Sequence, residues 1–165
     1  MEIYLIRHAI AEERENWHQS DDLRPLTERG EKKMQRAARA LRAMEAEFTH
    51  LYSSPLTRAM QTADIVRKAS KLELIHQTDA LTPEAPAQAI LPVLNNLPAN
   101  AVVGLVGHEP HLGHLLSFLL SGQPASFAVF KKGGMACLES EVPVQAGRAI
   151  LRWLLEPAQL VAIGE

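Results

Sequence analysis

The sequence predicts a three-layer α/β/α sandwich built on a mainly parallel sheet with an antiparallel edge strand. Three observations lead there. Short runs of strand formers alternate with longer segments whose apolar residues recur at helical spacing, the pattern of a parallel sheet covered on both faces. The last two strand segments have no helix between them, so they are expected to pair antiparallel at one edge. The 165 residues show no internal repeat and no linker, so 1–165 reads as one domain.

Each element has its own justification. Glu2–Ile6 is a compact apolar run bounded by charge and reads as the first strand. The polar stretch Ala11–Asp22 reads as loop. Thr27 caps a helix whose apolar stripe is Met34, Ala37, Ala38, Leu41 and Met44. His50–Ser53 is a second strand. Ser54-Pro55 has the form of a helix start, serine as cap and proline at the first position, with the helix running to about Ala69. Leu72–His76 is a short third strand. Ala85–Leu97 has a helical pattern interrupted by Pro92. Ala101–Val106 is the clearest buried strand. Pro110 opens a helix carrying Leu112, Leu115, Leu116, Phe118 and Leu119, and Gly122 ends it. Ala136–Glu139 and Arg148–Leu154 are the closing strands, followed by a short tail flanked by Pro157 and Gly164.

Composition removes several function classes. Hydrophobic residues at 47% and charged residues at 22% exclude a disordered chain. A net charge of −2, from 17 basic and 19 acidic side chains, gives no overall pull toward nucleic acid or anionic lipid. Any anion site must be local. The lone cysteine, Cys137, supports neither an internal disulfide nor a cysteine zinc cluster, and reads as a buried core thiol. No apolar run approaches the ~20 residues that cross a bilayer. Arg7 and His8 interrupt the only early apolar stretch, which argues against a signal peptide. The expectation is a cytoplasmic, monomeric protein without a metal or other cofactor.

In open α/β sheets, ligands bind outside the carboxyl ends of the strands. The first strand ends in Arg7-His8, the second in Ser53-Ser54 with Arg58 just inside the next helix, and the fourth in Gly107-His108-Glu109. Two arginines and two histidines from distant points should therefore emerge at one sheet edge. Guanidinium groups bind tetrahedral oxyanions through paired donors. An imidazole attacks phosphorus when one ring nitrogen is unprotonated, without a metal if positive charge neutralises the phosphoryl oxygens. The set suits phosphoryl transfer through phospho-His8, with His108 as a second donor and Arg7 and Arg58 as clamps. An arginine in a helix's first turn opposes the dipole, and a bound anion would account for Arg58 there.

Four segments then resemble the histidine phosphatase superfamily, in order along the chain. Arg7-His8-Ala9 is similar to its Arg-His-Gly signature. Leu26-Thr27-Glu28-Arg29-Gly30 resembles its Leu-Thr-x-x-Gly segment. Ser54-Pro55-Leu56-Thr57-Arg58-Ala59-Met60-Gln61-Thr62 resembles Ser-Pro-x-x-Arg-x-x-Gln-Thr, and Gly107-His108 its Gly-His segment. Compact length, Leu81-Thr82-Pro83 and the ending Leu155–Leu160 resemble the SixA-type branch. The resemblance implies dephosphorylation of a phosphohistidine on a signalling partner, a phosphotransfer domain or a histidine kinase, with inorganic phosphate as product. A small-molecule phosphomonoesterase and a non-catalytic phosphohistidine-binding module are the alternatives.

Ala9 stands where the family has glycine. The resemblance also implies a carboxylate after the third strand as proton donor, and Glu84 and Asp79 are the candidates. His111 and His114 fall one turn apart, but are better read as partly exposed helix residues than as metal ligands. His18 sits in the first loop and would at most line the entrance. Glu109 would orient His108 or face the partner, and Lys131-Lys132-Gly133-Gly134 reads as a turn that could meet an acidic face.

Overall fold

The computed structural model describes residues 1–165. In chain order the elements are β1 (Glu2–Arg7), α1 (Glu28–Ala43), β2 (His50–Ser53), α2 (Thr57–Ser70), β3 (His76–Gln77), α3 (Leu91–Asn95), β4 (Val102–Gly107), α4 (His111–Ser121), β5 (Met135–Glu139), β6 (Ile150–Leu155) and α5 (Pro157–Ile163). Six strands form one sheet in the order β3-β2-β4-β1-β5-β6. β1, β2, β3 and β4 pair in parallel, and β5 pairs antiparallel with both β1 and β6. The last two strands pair as expected. The strand that reverses is β5, one place in from the edge.

Strand alternation sends successive side chains to opposite faces and builds two cores. Ile3 and Leu5 pack with Val103, Leu105 and the Leu112, Leu115 and Leu119 stripe of α4. Tyr4 and Ile6 pack with Met34, Ala37 and Leu41 of α1 and with Ala63 and Val66 of α2. Helices α1, α2 and α5 therefore cover one face, and α3 and α4 the other, giving the three layers. No helix is long and apolar enough to cross a membrane.

This topology creates the crevice that holds the site. β1 and β4 lie side by side in register, Arg7 opposite Gly107. The chain leaves β1 for α1 on one face and β4 for α4 on the other, so the two strand ends diverge.

Four local expectations are corrected. The third strand is only His76–Gln77, because Leu72 N–H bonds Arg67 O at 3.0 Å and closes the end of α2. Ser54-Pro55 does not cap α2, which starts at Thr57 with Leu56 before it. Ala85–Leu97 divides into a 3-10 turn at Ala87–Ile90 and α3, with Pro92 in the first turn of α3. The tail is a helix: Pro157 sits in its first turn, Gln159 Oε1 accepts from Glu156 N–H at 2.8 Å, and Leu160 is fully buried against α1.

Candidate active site

The segment carrying Arg7 and His8 is held on three sides. His8 N–H bonds Gly107 O of β4 at 3.0 Å, and Arg7 N–H bonds Gly134 O at 3.0 Å. Gly133 N–H reaches the carbonyls of Arg7 and His8 at 3.2 and 3.1 Å. It does so from φ +84°, a conformation that favours glycine. Ala9 N–H bonds Thr62 Oγ at 3.0 Å, and that hydroxyl donates to Arg58 O at 2.7 Å. The Ala9 methyl is buried in the core, so it takes the place of glycine without strain on the site.

The Leu26–Gly30 segment fastens the chain just beyond. Thr27 N–H bonds Ile10 O at 3.0 Å, Glu12 N–H bonds Pro25 O at 2.9 Å, and Leu26 N–H bonds Gln61 Oε1 at 2.7 Å. Thr27 Oγ accepts from Gly30 N–H at 2.9 Å, the expected cap. Gly30 is required here, since a Cβ would collide with the Ile10 carbonyl.

The imidazole of His8 is 6% exposed, and its Nδ1–H donates to Ala9 O at 2.7 Å. That bond leaves Nε2 as the nitrogen with the lone pair. Burial, reinforced by the charges of Arg58, Arg7 and Arg24, lowers the His8 pKa to about 3, so the ring is neutral at physiological pH. The His108 ring lies 5.1 Å away, centroid to centroid, tilted by 54°. Burial first, then its neighbours His8 and Arg58, lower its pKa to about 2.

Ser54, fully buried, sets the state of His108. Its Oγ is 2.8 Å from His108 Nε2 and also accepts, at 3.4 Å, from Leu56 N–H. The Ser54 hydroxyl proton has no acceptor but Nε2, so it is donated there, and His108 carries its own proton on Nδ1. That Nδ1 is buried without a protein partner. So are Nε of Arg7 and Nε of Arg58. Buried polar groups are almost always bonded, and these three nitrogens sit on side chains that line one cleft.

Arg58 is held by Asp21 rather than standing alone against the helix dipole. Nη1 donates to Asp21 O at 2.8 Å and Nη2 to Oδ2 at 3.1 Å. Asp21 Oδ1 also takes Nε of Arg24 at 2.9 Å and of Arg14 at 3.2 Å. Burial pushes the Asp21 carboxyl up, but the bond from Arg24 and the charges of Arg58, Arg24 and Arg14 outweigh it and hold it below the usual range. Arg7 Nη1 donates to Phe130 O, and Glu109 Oε1 accepts from Phe130 N–H at 2.7 Å. Glu109 therefore positions the Phe130 strap, not His108.

The cleft is about 270 Å³ and has no apolar lining. Arg7, His8, Arg58 and His108 all line it, as the strand ends predicted. Arg14, Arg24, Lys132, Glu13 and Glu109 join them. Asp79 and Glu84 do not: both are exposed, and of that segment only Pro83 reaches the lining. His18 is exposed and outside the lining as well. His111 is not partly exposed but 2% exposed, with both ring nitrogens unpartnered, and burial lowers its pKa to about 4. Sequence reasoning missed Asp21, Arg24 and Ser54 as site residues. The spacing of Asp21 and Arg24, one turn apart, was the available clue within a stretch read as loop.

Comparison with known proteins bears on the family and the fold. The sequence pattern of the histidine phosphatase superfamily (branch 1) matches residues 3–82. An uncharacterized protein of Picosynechococcus sp. is 34% identical over 142 residues, 85% of this chain and 86% of its own. The structure of the protein histidine phosphatase SixA complexed with tungstate superposes with a TM-score of 0.85 at 26% identity, covering 97% of this chain and 99% of that one. A phosphoserine phosphatase from Entamoeba histolytica, bound to 3-phosphoglyceric acid, shares the fold with a TM-score of 0.71 at 18% identity, over 93% of this chain and 95% of its own. With four motifs in order and the fold shared over nearly the whole chain, the chain belongs to the histidine phosphatase superfamily, in its SixA-type branch.

Proposed function

We propose that the protein is a metal-independent protein phosphohistidine phosphatase acting on a signalling partner, a phosphotransfer domain or a histidine kinase. His8 Nε2 attacks phosphorus and forms the new N–P bond. The P–N bond to the substrate imidazole breaks, and its electron pair returns to that ring, which leaves neutral when its other nitrogen carries a proton. Arg7, Arg58 and His108 Nδ1–H donate to the phosphoryl oxygens as charge gathers on them. Water then attacks the phosphorus of phospho-His8, one of its protons passes to a phosphoryl oxygen, and inorganic phosphate leaves as the P–N electron pair returns to Nε2.

The observation that carries this reading is a neutral His8, its Nδ1 engaged by Ala9 O and its Nε2 bare, in one cleft with Arg7, Arg58 and His108. Phosphoramidate is favoured over ester for a physical reason. An alkoxide leaves poorly without a proton, and the expected donors Asp79 and Glu84 lie outside the cleft lining, whose carboxylates are Glu13 of the first loop and Glu109, the latter engaged at Oε1 by Phe130 N–H. The test is release of phosphate from a phosphohistidine-bearing phosphotransfer domain in chelator. The wild type should clear it, and His8→Ala should not. Retention of the partner's phosphate at the same rate by both proteins would refute the proposal.

A further inference from the structure

A second groove of about 390 Å³ adjoins the cleft and shares Arg7 and Lys132 with it. Its other charged walls are Lys33 of α1, Lys131 and Glu156. Glu156 is the one carboxylate there, and it is paired with Lys131 at 2.8 Å. Lys33 and Lys132 make no ion pair, whereas on the same helix Lys32 pairs with Glu28 and Arg36 with Glu165. The chain as a whole is slightly acidic, at −2, so this face is a local concentration of positive charge and not a by-product of composition.

The groove is also rigidly referenced to the nucleophile. One wall is the 131–134 turn, whose Gly133 and Gly134 are bonded to the backbone of Arg7 and His8. The other is α1, locked to the His8 segment through Thr27 and Gly30 at Ile10. A ligand seated on Lys33 and Lys132 is thus held at a set position relative to His8 Nε2. A protein-borne phosphoryl group reaches an open cleft only with its carrier's surface lying over the surroundings, and this groove is part of those surroundings.

We propose that the Lys33–Lys131–Lys132 groove is the docking lane for an acidic surface segment of the phosphorylated partner protein. This rests on the phosphohistidine reading and deepens it. Lys33 and Lys131 of the lane lie outside the catalytic cleft, so these two contribute to protein substrates and not to the phosphoryl chemistry.

The test compares wild type, Lys33→Glu and Lys131→Glu on two substrates, a phosphohistidine-bearing phosphotransfer domain and free phosphoramidate. Charge reversal at Lys33 should lower kcat/KM on the protein substrate about tenfold at low salt, mostly through KM, and the gap should close as salt rises. Phosphoramidate turnover should stay within about twofold in both variants, which also shows that they fold. Equal rates on the protein substrate overturn the docking lane and leave the phosphohistidine reading standing. Equal losses on both substrates assign the groove to the phosphoryl group itself and also overturn it. If the wild type turns over phosphoramidate but not the phosphoprotein, both readings fall together.

Discussion

Replacing Ser54 by alanine tests whether a buried hydroxyl selects the tautomer of His108. Ser54 Oγ lies 2.8 Å from His108 Nε2, and no other protein group bonds that ring. Removing it forfeits one hydrogen bond, about 1 kcal/mol net, and leaves Nε2 buried and unpaired, which costs about 1–3 kcal/mol. A loss of about 2 kcal/mol corresponds to a fall in Tm of roughly 4–8 °C for a chain of this size. The functional effect is separate and larger. Without the hydroxyl the proton is free to move to Nε2, which turns Nδ1 from donor to acceptor toward the phosphoryl oxygens. Loss of one donor to developing charge costs about 10²–10³ in kcat. Steady-state kinetics on a phosphohistidine substrate, with 15N NMR of the imidazole, read both effects. The wild type should show a protonated Nδ1 and a bare Nε2, and Ser54→Thr should restore both rate and tautomer. A Ser54→Ala enzyme within twofold of wild type, or a wild-type His108 protonated at Nε2, would refute the reasoning.

Three further outcomes are expected. Asp21→Asn keeps the carbonyl bond to Arg58 Nη1 but removes the charge shared by Arg58, Arg24 and Arg14. kcat should fall about tenfold as the clamp loosens, while inorganic phosphate inhibits at no higher concentration because the cleft is more positive. His111→Leu should flatten the acid limb of stability. The folded His111 pKa of about 4 lies below the ordinary 6.5, so between those values the unfolded chain takes up a proton that the native state refuses. Stability is untouched above pH 6.5 and is lost as pH falls, so urea midpoints should show the variant gaining about 3 kcal/mol on wild type between pH 7.5 and 4.5. Gly30→Ala drives a methyl into the Ile10 carbonyl and should cost about 3 kcal/mol, a Tm drop of roughly 6–12 °C. A shift under 2 °C by calorimetry would contradict the close approach.

The sheet and the four strand-end residues were legible because they rest on strong local patterns. Continuous apolar runs mark β1 and β4, and a parallel sheet brings their carboxyl ends together whatever the loops do. The supporting residues were not legible, since their roles depend on distant partners. Asp21 meets Arg58, and Ser54 meets His108, across chain separations that periodicity does not encode. Ser54-Pro55 misled for a related reason: serine before proline is a good cap locally, but the hydroxyl is claimed by His108 and the helix starts at Thr57. The α5 helix was readable in Glu156-Pro157-Ala158-Gln159, whose acidic residue, proline and glutamine are the ingredients of a helix start. Asp79 and Glu84 came from family pattern alone, and nothing in their local sequence tied them to the cleft.

The placement of β1 between β4 and β5 bears on how the enzyme comes into being. The strand that carries His8 is synthesised well before both of its sheet neighbours, residues 102–107 and 135–139. The brace at Gly133 and Gly134 arrives only then as well. Pairing across such sequence distances is slow and comes late in folding. A chain that stops short of β5, or has not yet docked it, therefore has His8 without the assembled cleft, and catalytic turnover doubles as a report that residues 135–139 have been made and paired.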